Sequence, residues 1–198
     1  MTLPRFYPIF ETVDWLERAL PLGVKLVQLR IKDGDWDTLR MEIRSGLAMA
    51  RAHGAALVIN DHWQLAIEEG ADWLHLGQED LDEADLPAIR RAGLKLGLST
   101  HDHSELERAL ALSPDYVALG PVYPTILKKM KWYQQGLERV SEWKRLVGEI
   151  PLCAIGGMSV ERAPAAMVAG ADIVSAVTDI TLNPDPEKRM RDWRRVCA

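Results

Sequence analysis

Cysteine is nearly missing: the 198 residues contain two, Cys153 and Cys197. Two thiols make no disulfide framework, and a reducing compartment is the simpler expectation. Basic charge is not in excess either. Lys and Arg number 24 against 29 Asp and Glu, a net charge of −5, so no overall positive field exists to hold a nucleic-acid backbone. No apolar run approaches the roughly 18 residues of a membrane span. The first ten residues carry Arg5 alone among cations, with Pro4 and Pro8, and read as neither a secretory nor a transit segment. Low-complexity tracts and short-period repeats are also absent. A cytoplasmic, soluble protein without nucleic-acid or membrane partners is expected, its homo-oligomeric state left open. Apolar residues, by contrast, make up 47% and charged residues 27%, the balance of a globular chain rather than a disordered one. The length predicts one domain over 1–198, able to bury about 70% of the surface its unfolded chain exposes.

Two patterns alternate along that length. Short apolar runs occupy Phe6–Phe10, Lys25–Arg30, Ala56–Asp61, Trp73–Gly77, Lys95–Ser99, Tyr116–Gly120, Leu152–Gly156 and Ile173–Thr178. Helically spaced stretches follow them at Glu11–Leu20, Trp36–Ala52, Trp63–Glu69, Asp85–Ala92, Ser104–Leu112, Gly136–Val147, Glu161–Ala169 and Pro186–Cys197. Near-continuous apolar runs such as Ala56-Leu-Val-Ile-Asn60 suit parallel strands buried on both faces. Eight strand–helix units without a linker point to a compact (β/α)8 TIM barrel, an α/β fold. An open doubly wound sheet is the rival, but no Gly-rich turn follows the first strand. Gly23, Gly54, Gly70, Gly93 and Gly170 stand where helices must end in a left-handed residue. The connection 121–135 is unusually long and carries Lys128, Lys129 and Lys131, which suggests a functional lid or a solvated basic loop.

Active sites of such barrels lie at the C-terminal ends of the strands, so chemistry is sought there. Alternation after the second strand places Gln28, Arg30 and Lys32 on one side. Two cations and an amide suit a phosphate or diphosphate; pairing with helix carboxylates is the alternative. Asp61 and Asp80 follow adjacent strands and can share a magnesium ion, which takes one or two carboxylates plus phosphate and water. Capping of the following helices is the competing role. His75 reads as a barrel-interior residue. Gly156 and Gly157 after strand seven, with Val177 and Thr178 at strand eight, suit a phosphate monoester. Ser99 is either a site residue or a turn and cap residue. Nothing suggests a hydrolytic triad, a Schiff-base lysine or a zinc cluster.

Taken in order, Gln28-Leu-Arg-Ile-Lys32, Val58-Ile-Asn-Asp61, His75-Leu-Gly-Gln-Glu-Asp80, Leu96-Gly-Leu-Ser-Thr100, Asp115-Tyr-Val-Ala-Leu-Gly-Pro-Val-Tyr-Pro-Thr125, Gln135-Gly-Leu137, Ala154-Ile-Gly-Gly-Met158 and Gly170-Ala-Asp172 resemble the motifs of the thiamine-phosphate synthase family. The resemblance implies an enzyme, a transferase that joins 4-amino-5-hydroxymethyl-2-methylpyrimidine diphosphate to 4-methyl-5-(2-phosphoethyl)thiazole, yielding thiamine monophosphate and pyrophosphate. It assigns Gln28, Arg30, Lys32, Asn60, Ser99 and Lys128 to the pyrimidine diphosphate, with Arg30, Lys32, Lys128 and Ser99 catalytic. It assigns Asp61 and Asp80 to Mg2+. Thr125, Ile126, Leu127, Gly156, Gly157, Val177 and Thr178 would surround the thiazole phosphate. The chain differs from the family pattern in its short first βα unit, in Leu127 where threonine is common, and in the loop Lys129-Met-Lys-Trp-Tyr-Gln-Gln135. Two alternatives are a thiazole tautomerase of the same barrel type and a non-catalytic phosphate-ligand-binding barrel. The first has no need of Asp61 and Asp80 beside Arg30, Lys32 and Lys128.

Overall fold

Apolar side chains point to both faces of every short run, and a segment buried on both faces is stable only as an inner layer covered by helices. The computed structural model, which describes residues 3–125 and 133–198, shows that arrangement. Strands β1 (Phe6–Phe10), β2 (Leu26–Leu29), β3 (Ala56–Asn60), β4 (Trp73–Leu76), β5 (Lys95–Thr100), β6 (Tyr116–Leu119), β7 (Leu152–Ala154) and β8 (Ile173–Ala176) form a closed barrel in sequence order. All neighbours are parallel, and β8 returns to β1 with Tyr7 opposite Ser175. The expected (β/α)8 barrel is therefore the fold.

Outside it run α1 (Val13–Ala19), α2 (Trp36–Ala52), α3 (Trp63–Glu68), α4 (Asp80–Glu83), α5 (Leu86–Arg91), α6 (His103–Ala111), α7 (Gly136–Val147), α8 (Ala163–Val168), α9 (Thr178–Thr181) and α10 (Pro186–Val196). Helices α2 and α7 have the bounds expected from their spacing. Two short helices were not expected. The stretch ending near Thr178 is strand only to Ala176, and Thr178 opens α9. Asp80 likewise opens α4. The strand-seven run stops at Ala154 rather than Gly156, because Gly156 and Gly157 adopt φ of 92° and 63°, outside the extended region. The five glycines preceding strands all have positive φ, as their placement predicted.

Alternation sorts the strands into two cores. Val27, Leu29, Leu57 and Ile59 face the helices, whereas Leu26, Val58, Trp73, Tyr116 and Ile173 fill the barrel. The inward positions change character along the strands. Low in the barrel they are apolar or aromatic; towards the C-terminal ends they become Gln28, Asn60, His75, Ser99 and Ser175. That polarity gradient makes one mouth of the barrel a site and the other a plug. Both cysteines are free and buried, with desolvation pushing the Cys153 thiol well up and the Cys197 thiol up to about 11. Among the described residues no helix is long and apolar enough to cross a membrane.

Candidate active site

The upper mouth opens into a cavity of about 820 Å³. Its walls bring together Gln28, Arg30, Lys32, Asn60, Asp61, Asp80, Ser99, Thr125, Gly156, Gly157, Val177 and Thr178, residues drawn from seven stretches of sequence. Three expected site residues, Ile126, Leu127 and Lys128, lie outside the described residues. A smaller recess of about 300 Å³ adjoins, sharing Thr125, Gly157 and Thr178 with the main cavity and adding Ser159 and Arg162.

The metal candidates are built by two different turns. At the end of β3, Asp61 takes φ of 62°, which a short polar side chain tolerates better than a branched one. Its N–H still donates to the His75 carbonyl at 3.0 Å, so β3 stays paired with β4 while the side chain turns into the mouth. His62, not Asp61, occupies the cap of α3 and makes no side-chain cap bond; the capping role considered for Asp61 is corrected. At the end of β4, Asp80 Oδ2 accepts from the Gly77 N–H at 3.0 Å. A Cβ on Gly77 would sit 2.8 Å from that oxygen, so glycine is what lets the carboxylate fold back over the strand end.

These turns bring the two carboxyl groups into hydrogen-bonding contact. Burial, followed by the charge and hydrogen bond of Asp80, pushes Asp61 up to about 6, against which Arg30 pulls downwards. Two carboxylates partly withdrawn from water repel unless a proton or a cation lies between them. The donor set fits magnesium, which accepts two carboxylates and keeps water and phosphate oxygens for its other positions. Among the described residues no group of three His, Cys, Asp or Glu side chains forms a closed protein cage.

The basic side is less uniform than alternation suggested. Strand β2 ends at Leu29, so Lys32 stands three residues beyond it and is half exposed. Its Nζ lies 3.5 Å from Glu11 Oε1, a carboxylate that also borders the cavity. The carboxylate-pairing alternative thus holds for Lys32 without removing it from the mouth. Ser99 is not a helix cap: Asp102 caps α6 by accepting from the Glu105 N–H at 2.9 Å. Ser99 Oγ instead lies 2.8 Å from His75 Nε2, and its carbonyl accepts from Gln78 Nε2 at 2.7 Å. His75 is interior as expected, and burial holds it down to about 4, neutral near pH 7.

The glycines after β7 have a packing reason besides any anion. A Cβ on Gly157 would lie 2.3 Å from the Pro124 carbonyl, and one on Gly156 would lie 2.6 Å from Pro121 Cα. The turn after β6, which begins with the cis Gly120–Pro121 bond, lies directly against them. Thr125 is brought to the cavity by this contact. Beneath the other wall, Arg189 donates to both Asp179 oxygens at 2.7–2.8 Å and to Glu161, and Trp193 Nε1 donates to Asp179 at 2.7 Å. This cluster anchors α9 and hence Thr178.

Several cavity residues were not read from the sequence. Glu11, Glu79, His101 and Glu105 border it. His101 was legible in principle, two residues beyond Ser99 on the same alternation; its N–H and Nδ1 both meet Glu105 Oε2 at 2.7 Å. Ser175, on the inward face of β8, has a buried Oγ with no hydrogen-bond partner among the described residues. Such an orphan is costly unless a bound molecule or water completes it.

The family described as thiamine monophosphate synthase matches residues 7–180. The thiamine-phosphate synthase of Rhizobium etli is 64% identical over 198 residues, covering all of this chain and 97% of that protein. That of Cronobacter sakazakii is 46% identical over 179 residues, covering 90% and 85% of the two chains. Among solved structures, the thiamine phosphate pyrophosphorylase from Pyrococcus furiosus superposes with a TM-score of 0.86 at 25% identity, covering 98% of this chain and 95% of its own. A profile match over most of the chain and full-length identity at this level are not properties of the barrel alone, and the chain belongs to the thiamine monophosphate synthase family.

Proposed function

We propose that this protein joins the pyrimidinylmethyl diphosphate to the thiazole phosphate, releasing pyrophosphate and forming thiamine monophosphate. The observation that carries the reading is the Asp61–Asp80 pair facing Arg30 and Lys32 in the same cavity as the Gly156–Gly157 and Val177–Thr178 walls. One half of the cavity suits a diphosphate with its cation, and the other suits a phosphate monoester. A tautomerase acting on the thiazole phosphate alone has no use for the first half.

The bond between the exocyclic methylene carbon and the diphosphate oxygen breaks, and its electron pair leaves with the pyrophosphate. The methylene carbon becomes cationic, stabilised by the electron-rich aminopyrimidine ring. The thiazole nitrogen then donates its lone pair to that carbon and becomes the quaternary nitrogen of the product. No proton is removed at the reacting carbon, and the site needs no strong base. Arg30 and Lys32 stabilise the charge that grows on the leaving oxygens. Asp61 and Asp80 would hold Mg2+, which supplies Lewis-acid neutralisation of the leaving diphosphate when bound. Asn60 and Gln28 orient the ring, and Ser99 donates towards the diphosphate. Thr125, Gly157, Val177 and Thr178 enclose the thiazole phosphate. Lys128 is assigned to the diphosphate from the sequence. Ile126 and Leu127 are assigned to the thiazole side on the same basis.

Pyrophosphate release measured with both substrates, with and without magnesium, tests the reading. The synthase releases it only when both substrates and the metal are present. Conversion of a thiazole isomer without pyrophosphate supports the tautomerase, and binding without turnover supports the ligand-binding barrel.

A further inference from the structure

Five side chains from five different strands form a chain of hydrogen bonds across the barrel. Gln28 Nε2 donates to Tyr7 Oη, Tyr7 Oη meets Tyr116 Oη, Tyr116 Oη meets His75 Nδ1, and His75 Nε2 meets Ser99 Oγ, each at 2.8 Å. Tyr7, Gln28, His75 and Tyr116 are all buried. Gln28, His75 and Ser99 border the cavity, whereas the two tyrosines lie beneath its floor. Both ring nitrogens of His75 are used within the chain.

Proton counting gives the chain a direction. The Gln28 amide N–H already points at Tyr7, so the single Tyr7 proton can be donated only to Tyr116. Tyr116 must then give its own proton to His75 Nδ1. A neutral imidazole carries one N–H, which now belongs on Nε2 and donates to Ser99 Oγ. Because Nδ1 is an acceptor here, the ring does not carry the second N–H of a cation. The Ser99 hydroxyl proton is thereby freed for the cavity, while Gln28 Oε1 remains as an acceptor. Turning the Gln28 amide over would reverse every link in turn, because any partial reversal sets acceptor against acceptor in a desolvated core.

We propose that this chain is a polarity relay that couples the two ends of the cavity. It holds Gln28 as a hydrogen-bond acceptor towards the ligand ring and, by the same constraint, Ser99 as a donor towards an anionic oxygen. Tyr7, Tyr116 and His75 are its positioning residues. A ring bearing an amino group meets the acceptor it needs. A ring bearing a carbonyl at that place would require the amide to turn, which would withdraw the Ser99 proton from the diphosphate. The carbonyl analogue is therefore opposed twice. Gly97 makes the relay possible, since it lies in register between His75 and Tyr116 and leaves the space that the tyrosine ring crosses to reach the imidazole.

The ring selectivity rests on the function proposed above; the relay itself does not. Nitrogen-15 NMR of the ligand-free wild-type protein, with the His75 signals assigned by their loss in His75→Gln, reads the tautomer directly. The Nε2–H form is expected, and the Nδ1–H form or an even mixture overturns the relay. Next, kcat and KM for the aminopyrimidine diphosphate and its 4-oxo counterpart are compared in wild type, Tyr7→Phe and Tyr116→Phe. Preference for the amino ring should fall by roughly tenfold or more in both variants, as for one lost buried hydrogen bond, with mixed tautomers at His75 in Tyr7→Phe. Folded variants with lower stability but an unchanged preference overturn the coupling. If wild type turns over neither ring, the functional reading fails, while the tautomer measurement still decides the relay.

Discussion

Gly97 and Tyr116 face each other across the β5–β6 pair, and a Cβ at Gly97 would lie 2.0 Å from Tyr116 Cζ. Backbone conformation does not demand this glycine; the ring beside it does. The phenol occupies the vacated volume, stacks on His75 with ring centroids 5.6 Å apart, and meets Tyr7 edge-on at 5.9 Å.

Gly97→Ala should therefore overpack the barrel interior. The ring cannot retreat without breaking its bonds to Tyr7 and His75. A loss of about 2–3 kcal/mol, or roughly 5–10 °C in Tm, is expected in thermal unfolding of the ligand-free protein. An unchanged Tm would mean that the aromatic cluster yields cheaply.

Asp80→Ala should reduce turnover far more than affinity for the thiazole phosphate. Lost neutralisation of the leaving diphosphate acts mainly on the transition state, and removal of such stabilisation costs about 10²-fold or more in kcat. Steady-state kinetics at saturating magnesium, paired with calorimetric titration of the thiazole phosphate, separates the two effects. Chelation of divalent metal should bring the wild type close to the variant. Equal activity in both would refute the shared-metal assignment.

The acid dependence of stability carries two opposed contributions. Burial lowers His75 to about 4, so the unfolded chain binds the extra proton and stability is lost as pH falls from about 6.5 towards 4. Asp61 is raised to about 6, so the folded chain binds the extra proton and stability is lost as pH rises from about 4 towards 6. The two partly cancel. Asp61→Asn, which tolerates the same positive φ, removes the second alone. Its Tm, measured without metal, should fall more steeply than wild type on acidification through this window and should exceed wild type above pH 6. Parallel curves would show that Asp61 titrates normally.

Asp179→Ala should weaken both stability and the cavity wall that carries Thr178. It leaves Trp193 Nε1 without its acceptor in a fully buried residue and strips Arg189 of a two-point carboxylate contact. About 2–3 kcal/mol is expected for a buried donor left unpaired beside a broken ion pair. Asp179→Asn keeps one acceptor and should lose less. Because α9 carries Thr178, thiazole-phosphate affinity should fall with stability in the alanine variant. Unaltered affinity would separate the anchor from the site.

Eight apolar runs alternating with amphipathic stretches determined the barrel, since segments buried on both faces have few other ways to be covered. Polar residues at the strand ends, from Gln28 to Thr178, named most of the cavity wall, because in this fold position along the chain translates directly into position at the mouth. Alternation failed where strands stopped early. Lys32 and Thr178 lie beyond the last paired residue, and their surroundings depend on the turn rather than on the pleat. Only the closed barrel decided that Asp61 and Asp80 touch, that Gly157 must yield space to the Pro124 carbonyl, and that Tyr7, Tyr116 and His75 meet beneath the floor. The Tyr7–Tyr116 contact joins strands far apart in sequence, across 109 positions. A tyrosine inside an apolar strand looks like core until its hydroxyl finds a partner, and closure of the barrel supplies that partner.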